Sequence, residues 1–262
     1  MKRVVRWSGG LCSFWAAHRV WQEFGPSDMV LLFANVLIED PSLYIFNRRA
    51  SELLGVPITE LCFGETPLQL FKREGLIGNA RFPICSVILK REMLDKWVDQ
   101  NCGPDDVHYI GFEWTEPHRL EHLRVNKPQY HWEAPMTLEP IWDKCRMVKE
   151  AEALKLPISP LYDLGFPHNN CGGRCVKAGI SHWVHLYRVL PERYMEWALE
   201  EDVIRKDFKV RGIESDKFTI LKDRRGGTTK PLSLLDLKTR IEAGESFPRD
   251  DWGGCGCGSL LG

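Results

Sequence analysis

Hydrophobic and polar positions alternate between two rhythms along the first half of the chain. Arg3 to Trp7 is a short β-rich run, broken by Ser8-Gly9-Gly10. From Cys12 to Phe24 the apolar residues Phe14, Ala17, Trp21 and Phe24 recur every three or four positions, one face of a helix that Gly25-Pro26 stops. Val30 to Val36, with Asn35 inside it, is an otherwise apolar run of strand length, suited to a strand covered on both faces. The pattern then predicts a helix over 42–54 ending at Gly55, and a strand over 58–63. Further strands are expected at 107–112 and 132–136, and helices at 86–100, 140–154 and 180–190. Strands alternating with helices predict an α/β fold with a parallel sheet flanked by helices.

The texture changes near residue 157. Pro157, Pro160, Gly165, Pro167, Gly172 and Gly173 make a loop-rich stretch carrying Cys171 and Cys175. Residues 205–240 hold eleven Lys or Arg against five Asp or Glu. The tail around Gly253-Gly254-Cys255-Gly256-Cys257-Gly258 is too glycine-rich for regular structure. The expected organisation is an α/β domain over residues 1–156 and a cysteine-bearing extension over 157–262 that packs back on it.

Composition narrows the classes. The 262 residues are 44% apolar and 27% charged, which excludes a disordered chain. The net charge of −1 provides no global basic field for nucleic acid. The longest apolar run, Met29 to Ile38, is about half a bilayer span, and no apolar core follows the basic start, so a cytoplasmic protein without membrane partners is expected. In that compartment thiols stay reduced, so nine cysteines call for packing, metal binding or catalysis.

Two features carry candidate chemistry. The turn Ser8-Gly9-Gly10-Leu11-Cys12-Ser13 sets two glycines and two hydroxyls between a strand and a helix. Glycines let backbone N–H groups crowd an anion, and a helix N-terminus adds roughly half a positive charge. A phosphate chain or a sulfate is the expected ligand; a plain tight turn that needs glycine is the alternative. Cys171-x3-Cys175 and Cys255-x-Cys257 form two glycine-flanked pairs whose four thiolates suit a tetrahedral zinc or an iron–sulfur cluster. Unliganded thiols are the alternative. Cys12, Cys62, Cys102 and Cys145 stand alone and read as packing residues.

At this point the sequence resembles a known family. Ser-Gly-Gly-x-x-Ser after the first strand is similar to the PP-loop of the adenine nucleotide α-hydrolase superfamily. That group has a Rossmann-like (HUP-type) fold and includes ATP pyrophosphatases, tRNA thiolation enzymes and phosphoadenosine phosphosulfate (PAPS) reductases. Leu161-Tyr162-Asp163-Leu164-Gly165-Phe166 with Cys171 and Cys175 resembles a PAPS-reductase segment. Arg81-Phe82-Pro83-Ile84-Cys85-Ser86 followed by Leu89-Lys90-Arg91 resembles the Cys-x-x-x-Leu-Lys segment of PAPS-reductase-like proteins. The overall resemblance is to PAPS-reductase-like proteins, many of them phage-encoded. Three departures stand out: Cys-x3-Cys replaces Cys-x2-Cys, Asn35 stands where a carboxylate is common, and the Glu-Cys-Gly-x-His tail of true reductases is missing.

The resemblance implies an ATP pyrophosphatase-type enzyme that adenylates a substrate oxygen, releases pyrophosphate and serves iron–sulfur-assisted sulfur transfer. Ser8, Gly9, Gly10, Leu11, Cys12, Ser13 and Asn35 would bind ATP or a related adenine nucleotide, with Mg²⁺. Ser13, Lys90 and Arg91 would serve the chemistry, with a solvated helix face as the other reading of the two cations. Cys85 joins Cys171, Cys175, Cys255 and Cys257 as candidates for a [4Fe–4S] cluster, or Zn²⁺. The expected partners are an acceptor, either a nucleobase or a small metabolite, and a sulfur-donor protein. The alternatives are a PAPS or adenosine phosphosulfate (APS) reductase, or a non-catalytic nucleotide-binding protein. Glu113, Glu116 and Arg119 are expected near a metal or substrate, or in a surface ion-pair network. The Asp223–Gly227 turn is read as closing over phosphates or holding a polyanionic substrate, or as a solvated hairpin. His168, His182 and His185 are expected near the cysteine pair.

Overall fold

The computed structural model describes residues 1–214, 217–224, 227–247 and 251–253. The α/β expectation holds. Strands β1 (Arg3–Trp7), β2 (Met29–Asn35), β3 (Ile58–Cys62), β4 (Val107–Ile110) and β5 (His131–Glu133) form one parallel sheet in the order β3-β2-β1-β4-β5. Val4, Val5, Leu31 and Leu32 are fully buried, as the unbroken apolar runs require of strands covered on both faces. β1 pairs with β2 from Arg3↔Met29 to Trp7↔Phe33, and with β4 from Arg3↔Val107 to Arg6↔Ile110. The chain thus works outwards from β1 through β2 to β3, then returns to β1's other side for β4. The gap beyond the carboxyl ends of β1 and β4 is the topological switch point, where open α/β sheets offer a crevice.

Helix ends follow local chemistry. Helix α1 (Leu11–Phe24) stops at Gly25, and α2 (Pro41–Leu54) opens with Asp40 accepting from the Ser42 N–H at 3.0 Å and Pro41 in the first turn. Helix α3 (Pro67–Glu74), which the sequence reading passed over, carries a complete capping box between Thr66 and Gln69. The helix expected over 86–100 is instead α4 (Ile84–Ser86), a π-helical turn over Val87–Glu92, and α5 (Met93–Asn101). π-Turns bulge a helix and re-aim side chains, often at functional sites; this one carries Lys90 and Arg91. Helix α6 (Pro117–Asn126) follows β4, and α7 (Lys144–Ala153) begins four residues later than expected. The strand expected at 132–136 is only His131–Glu133, and Pro135–Thr137 is a 3-10 turn.

Beyond residue 157 come α8 (Ile180–Val189), α9 (Pro191–Val210), β6 (Leu221–Asp223), β7 (Lys230–Leu232) and α10 (Leu234–Glu242). β6 and β7 pair antiparallel. These elements share a second apolar cluster that includes Trp183, Tyr194, Trp197 and Phe208, and that takes Phe71 and Ile77 from the first half. Buried Glu201 on α9 accepts from the Ile220 N–H at 2.8 Å and the Leu234 N–H at 2.6 Å, tying the β6–β7 hairpin to the helices. None of the described helices is long and apolar enough to cross a membrane.

Candidate active site at the β1–α1 corner

The corner after β1 is braced from within. Gly9 takes φ +73°, and a Cβ there would strike the Leu43 side chain at 2.7 Å. The Ser13 hydroxyl donates to the Gly10 carbonyl at 2.8 Å and accepts from the Ser8 N–H at 3.2 Å and the Ser8 hydroxyl at 3.0 Å. Ser13 is thus a brace of the turn as well as part of its lining. Gly10 caps α1 with no side-chain hydrogen bond, and the first turn has no acidic residue, so the positive end of the helix is not offset by its own side chains. From across the crevice, the Tyr162 hydroxyl faces the Leu11 N–H, and Asn169 Nδ2 donates to the Gly9 carbonyl at 3.2 Å.

Gly111 brings the end of β4 against the same turn. A Cβ on Gly111 would lie 2.5 Å from the Ser13 nitrogen and 2.6 Å from the Cys12 carbonyl carbon, so only glycine fits. The crevice between these elements is a cavity of about 360 Å³, within the range of small-molecule sites. Six cationic side chains line it: Arg6, Lys90, Arg91, Arg119, Lys127 and Lys144. Three carboxylates accompany them, each already facing a cation. Asp95 pairs with Arg6 at 3.3 Å and with Lys127, Glu113 with Lys144 at 2.6 Å, and Glu116 with Arg119. Charge, helix end and glycine turn all favour an anion.

Most of the expected residues meet here. Ser8, Gly10, Leu11, Cys12, Ser13, Lys90 and Arg91 line the cavity. Gly9 lies within the turn and shapes it. Asn35 does not line the cavity: its amide donates to Glu60 at 2.8 Å, and its oxygen accepts from the Leu37 N–H and the Tyr44 hydroxyl at 2.8 and 2.9 Å. Cys12 is not a bare packing residue, since its thiol lies 3.4 Å from Glu113 and burial pushes its pKa up to about 12. Cys62 and Cys145 are exposed, contrary to the packing expectation.

Sequence reasoning missed Lys144, Tyr162, His168 and Asn169 as lining residues. Tyr162 was visible in its motif, and the others carried no local signal. Burial pulls the Lys144 ammonium down, but Cys12, Tyr162 and Glu113 outweigh it and hold the charge in place. His168 is buried and stacks on His182 with centroids 5.5 Å apart; burial lowers its pKa to about 3, so it is neutral at pH 7. Its Nδ1 meets no partner among the described residues beyond its own backbone.

Lys90 also faces a second cavity. Its ammonium pairs with Glu39 at 3.0 Å, and the other Glu39 oxygen accepts from the Cys171 N–H. Cys85, Cys171 and Cys175 border a gap of about 20 Å³ beside them, room for a single water. Cys171 and Cys175 are hydrogen-bonded to one another, and this contact with burial pushes the Cys171 thiol well up; burial takes Cys85 to about 12. Three of the five predicted metal ligands therefore converge, while Cys255 and Cys257 lie outside the described residues. The described residues hold no group of three or more His, Cys, Asp or Glu in ligating geometry.

No protein-family profile matches this chain, and no curated protein matches it. Among solved structures, the phosphate complex of phosphoadenylyl-sulfate (PAPS) reductase from Candida auris is similar, with a TM-score of 0.45 and 15% identity. The match covers 63% of this chain and 79% of that one.

Proposed function

We propose that the chain is an ATP pyrophosphatase-type enzyme of the PP-loop class. The observation that carries this reading is the braced glycine turn at the start of α1, opening at the switch point into a cavity with twice as many cations as carboxylates. Backbone amides of the turn would hold the β- and γ-phosphates of ATP. Lys90 and Arg91, aimed by the π-turn, would face the α-phosphate and the charge that grows in its displacement. A substrate oxygen attacks the α-phosphorus, the bond to the bridging oxygen breaks, and pyrophosphate departs with the electron pair. The adenylated oxygen then leaves as AMP when a sulfur or nitrogen nucleophile replaces it. Positioning and charge stabilisation supply the rate.

Mg²⁺ would arrive on the phosphates, because each carboxylate of the cavity is already ion-paired. A thiolate-bound centre fits the donor chemistry, since three predicted sulfurs share one wall. Cys85, Cys171 and Cys175 with Cys255 or Cys257 would hold it, once the narrow gap between them opens. Bound there, a [4Fe–4S] cluster would bind or deliver sulfur to the activated substrate, whereas zinc would be structural.

Two measurements test the reading. ATP binding by calorimetry, and pyrophosphate release with candidate acceptors, are expected; absence of both overturns it. Sulfite release from PAPS or APS with a thiol reductant would instead identify a sulfonucleotide reductase. Anaerobic purification with iron, sulfide and zinc assays addresses the thiol centre, and a band near ~400 nm is expected for a cluster.

A further inference from the structure

A third and larger cavity, about 960 Å³, lies outside the β1–α1 corner, between the 79–82 loop and the β6–β7 hairpin. Five cationic side chains line it: Arg81, Lys177, Lys217, Lys222 and Arg224. The two carboxylates among its described lining residues are committed elsewhere. Asp223 pairs with Arg240 at 2.9 Å, and Asp251 caps α8 by accepting from the Ile180 N–H at 3.3 Å. Lys217 pairs with Glu214 at the rim. Among the described residues cations outnumber carboxylates on this wall, in a protein whose net charge is −1.

The same cavity presents aromatic surface. Phe82 is 54% exposed and faces this cavity. Its loop is nevertheless pinned. Asn79, itself buried, accepts from the Arg81 N–H at 2.9 Å and the Phe82 N–H at 3.0 Å through its side chain, and its own N–H donates to the Phe82 carbonyl at 3.2 Å. The Arg81 guanidinium lies 5.5 Å from the Phe82 ring centroid. Phe218 and Phe247 add apolar lining. A rigidly held, solvent-facing ring beside a cluster of cations is the arrangement that single-stranded nucleic acid uses: bases stack on the ring, and the cations track the phosphates.

We infer that this cavity is a docking site for single-stranded nucleic acid, with a base stacked on Phe82 and the backbone held between Arg81 and the Lys217–Lys222 side of the hairpin. Duplex is disfavoured because its bases present no free face to the ring. An acidic peptide would satisfy the cations but leave Phe82 unused. Lys177 lines both this cavity and the gap between the thiols, so the docked strand would lie next to the sulfur groups.

The test is fluorescence anisotropy with labelled RNA and DNA single strands of about 12 nucleotides at ~50 mM salt, without nucleotide triphosphate. Because ATP is absent, the result is independent of the ATP reading. The wild type is expected to bind at least one of the two strands, and comparing them identifies the source. Phe82→Ala is expected to weaken binding about tenfold, the loss of one stacked base. Lys217→Gln with Lys222→Gln is expected to reduce the salt slope by about 1.4, two phosphate contacts on a single strand. Thermal melts of both variants establish that they remain folded. Failure of the wild type to bind either strand overturns the proposal. So does equal affinity in folded Phe82→Ala, or equal competition by a duplex or by polyglutamate.

Discussion

The two cavities that share Lys90 are built in opposite ways. The β1–α1 corner is assembled by residues within a few positions of each other, Ser8 to Ser13, and its polar groups hold one another in place. The thiol gap is assembled by residues far apart, Cys85 against Cys171 and Cys175; burial raises the Cys85 thiol, and the Cys175 contact together with burial raises that of Cys171. The first is preformed, and its amides and cations would need no change of protonation to meet an anion. The second reaches its reactive form only when something compensates the burial of a thiolate.

The sharpest way to break this contrast is Lys90→Met. It strands the Glu39 carboxylate, whose side chain is 2% exposed, and a buried charge that loses its partner costs about 3–5 kcal/mol. Urea melts should show that loss, and calorimetry should show weaker nucleotide binding. A variant as stable as the wild type would mean that the pair does not join the cavities.

Gly111→Ala sharpens it from the corner alone. The added methyl meets the Ser13 nitrogen and Cys12 backbone, and overpacking of that kind costs about 1–3 kcal/mol. ATP affinity should fall with it, while the cysteines' reactivity towards a thiol reagent should change less.

The pH profile weighs the regions against each other. Burial lowers His168 to about 3 and both His108 and His182 to about 4, and raises Glu201 to about 7. As pH falls from 6.5 towards 4.5, unfolded histidines take up protons that the three folded ones refuse, which destabilises the fold. Over the same range folded Glu201 is protonated ahead of its unfolded counterpart, which stabilises it. Three imidazoles against one carboxyl leave a net loss of up to about 2.7 kcal/mol per pH unit on acidification. Urea midpoints at pH 7 and pH 5 measure it; a higher midpoint at pH 5 would reverse the balance. The smallest effect is Ser13→Ala, about 1 kcal/mol for its lost hydrogen bonds. That loss would appear as a lower melting temperature, together with weaker ATP binding.

What was legible follows the same division. The β1–α1–β2 unit could be read because its signals are local: a glycine break, a helical stripe and an apolar run. Helix α9 could not. Its buried face runs Tyr194, Trp197, Ala198, Glu201, Ile204 and Phe208, but a carboxylate interrupts that stripe, and exposed Leu199, Val203 and Val210 blur its edges. The missed α3 did carry a readable sign, Thr66-Pro67 followed by Gln69. At the site, the turn and the π-turn cations were legible, the cations through a resemblance. Lys144 and Asn169 were not, because their roles depend on contacts with Glu113 and Gly9 that no local spacing encodes.

Glu39 gives the molecule a hinge pin of charge. One of its oxygens holds the ammonium that faces the anion cavity, and the other holds the amide of Cys171. A ligand that draws Lys90 towards itself leaves Glu39 to lean on that amide alone. Occupancy on one side is then felt as a change in grip on the other, and by thermodynamic reciprocity whatever rearranges the cysteine loop changes in turn how tightly the anion is held.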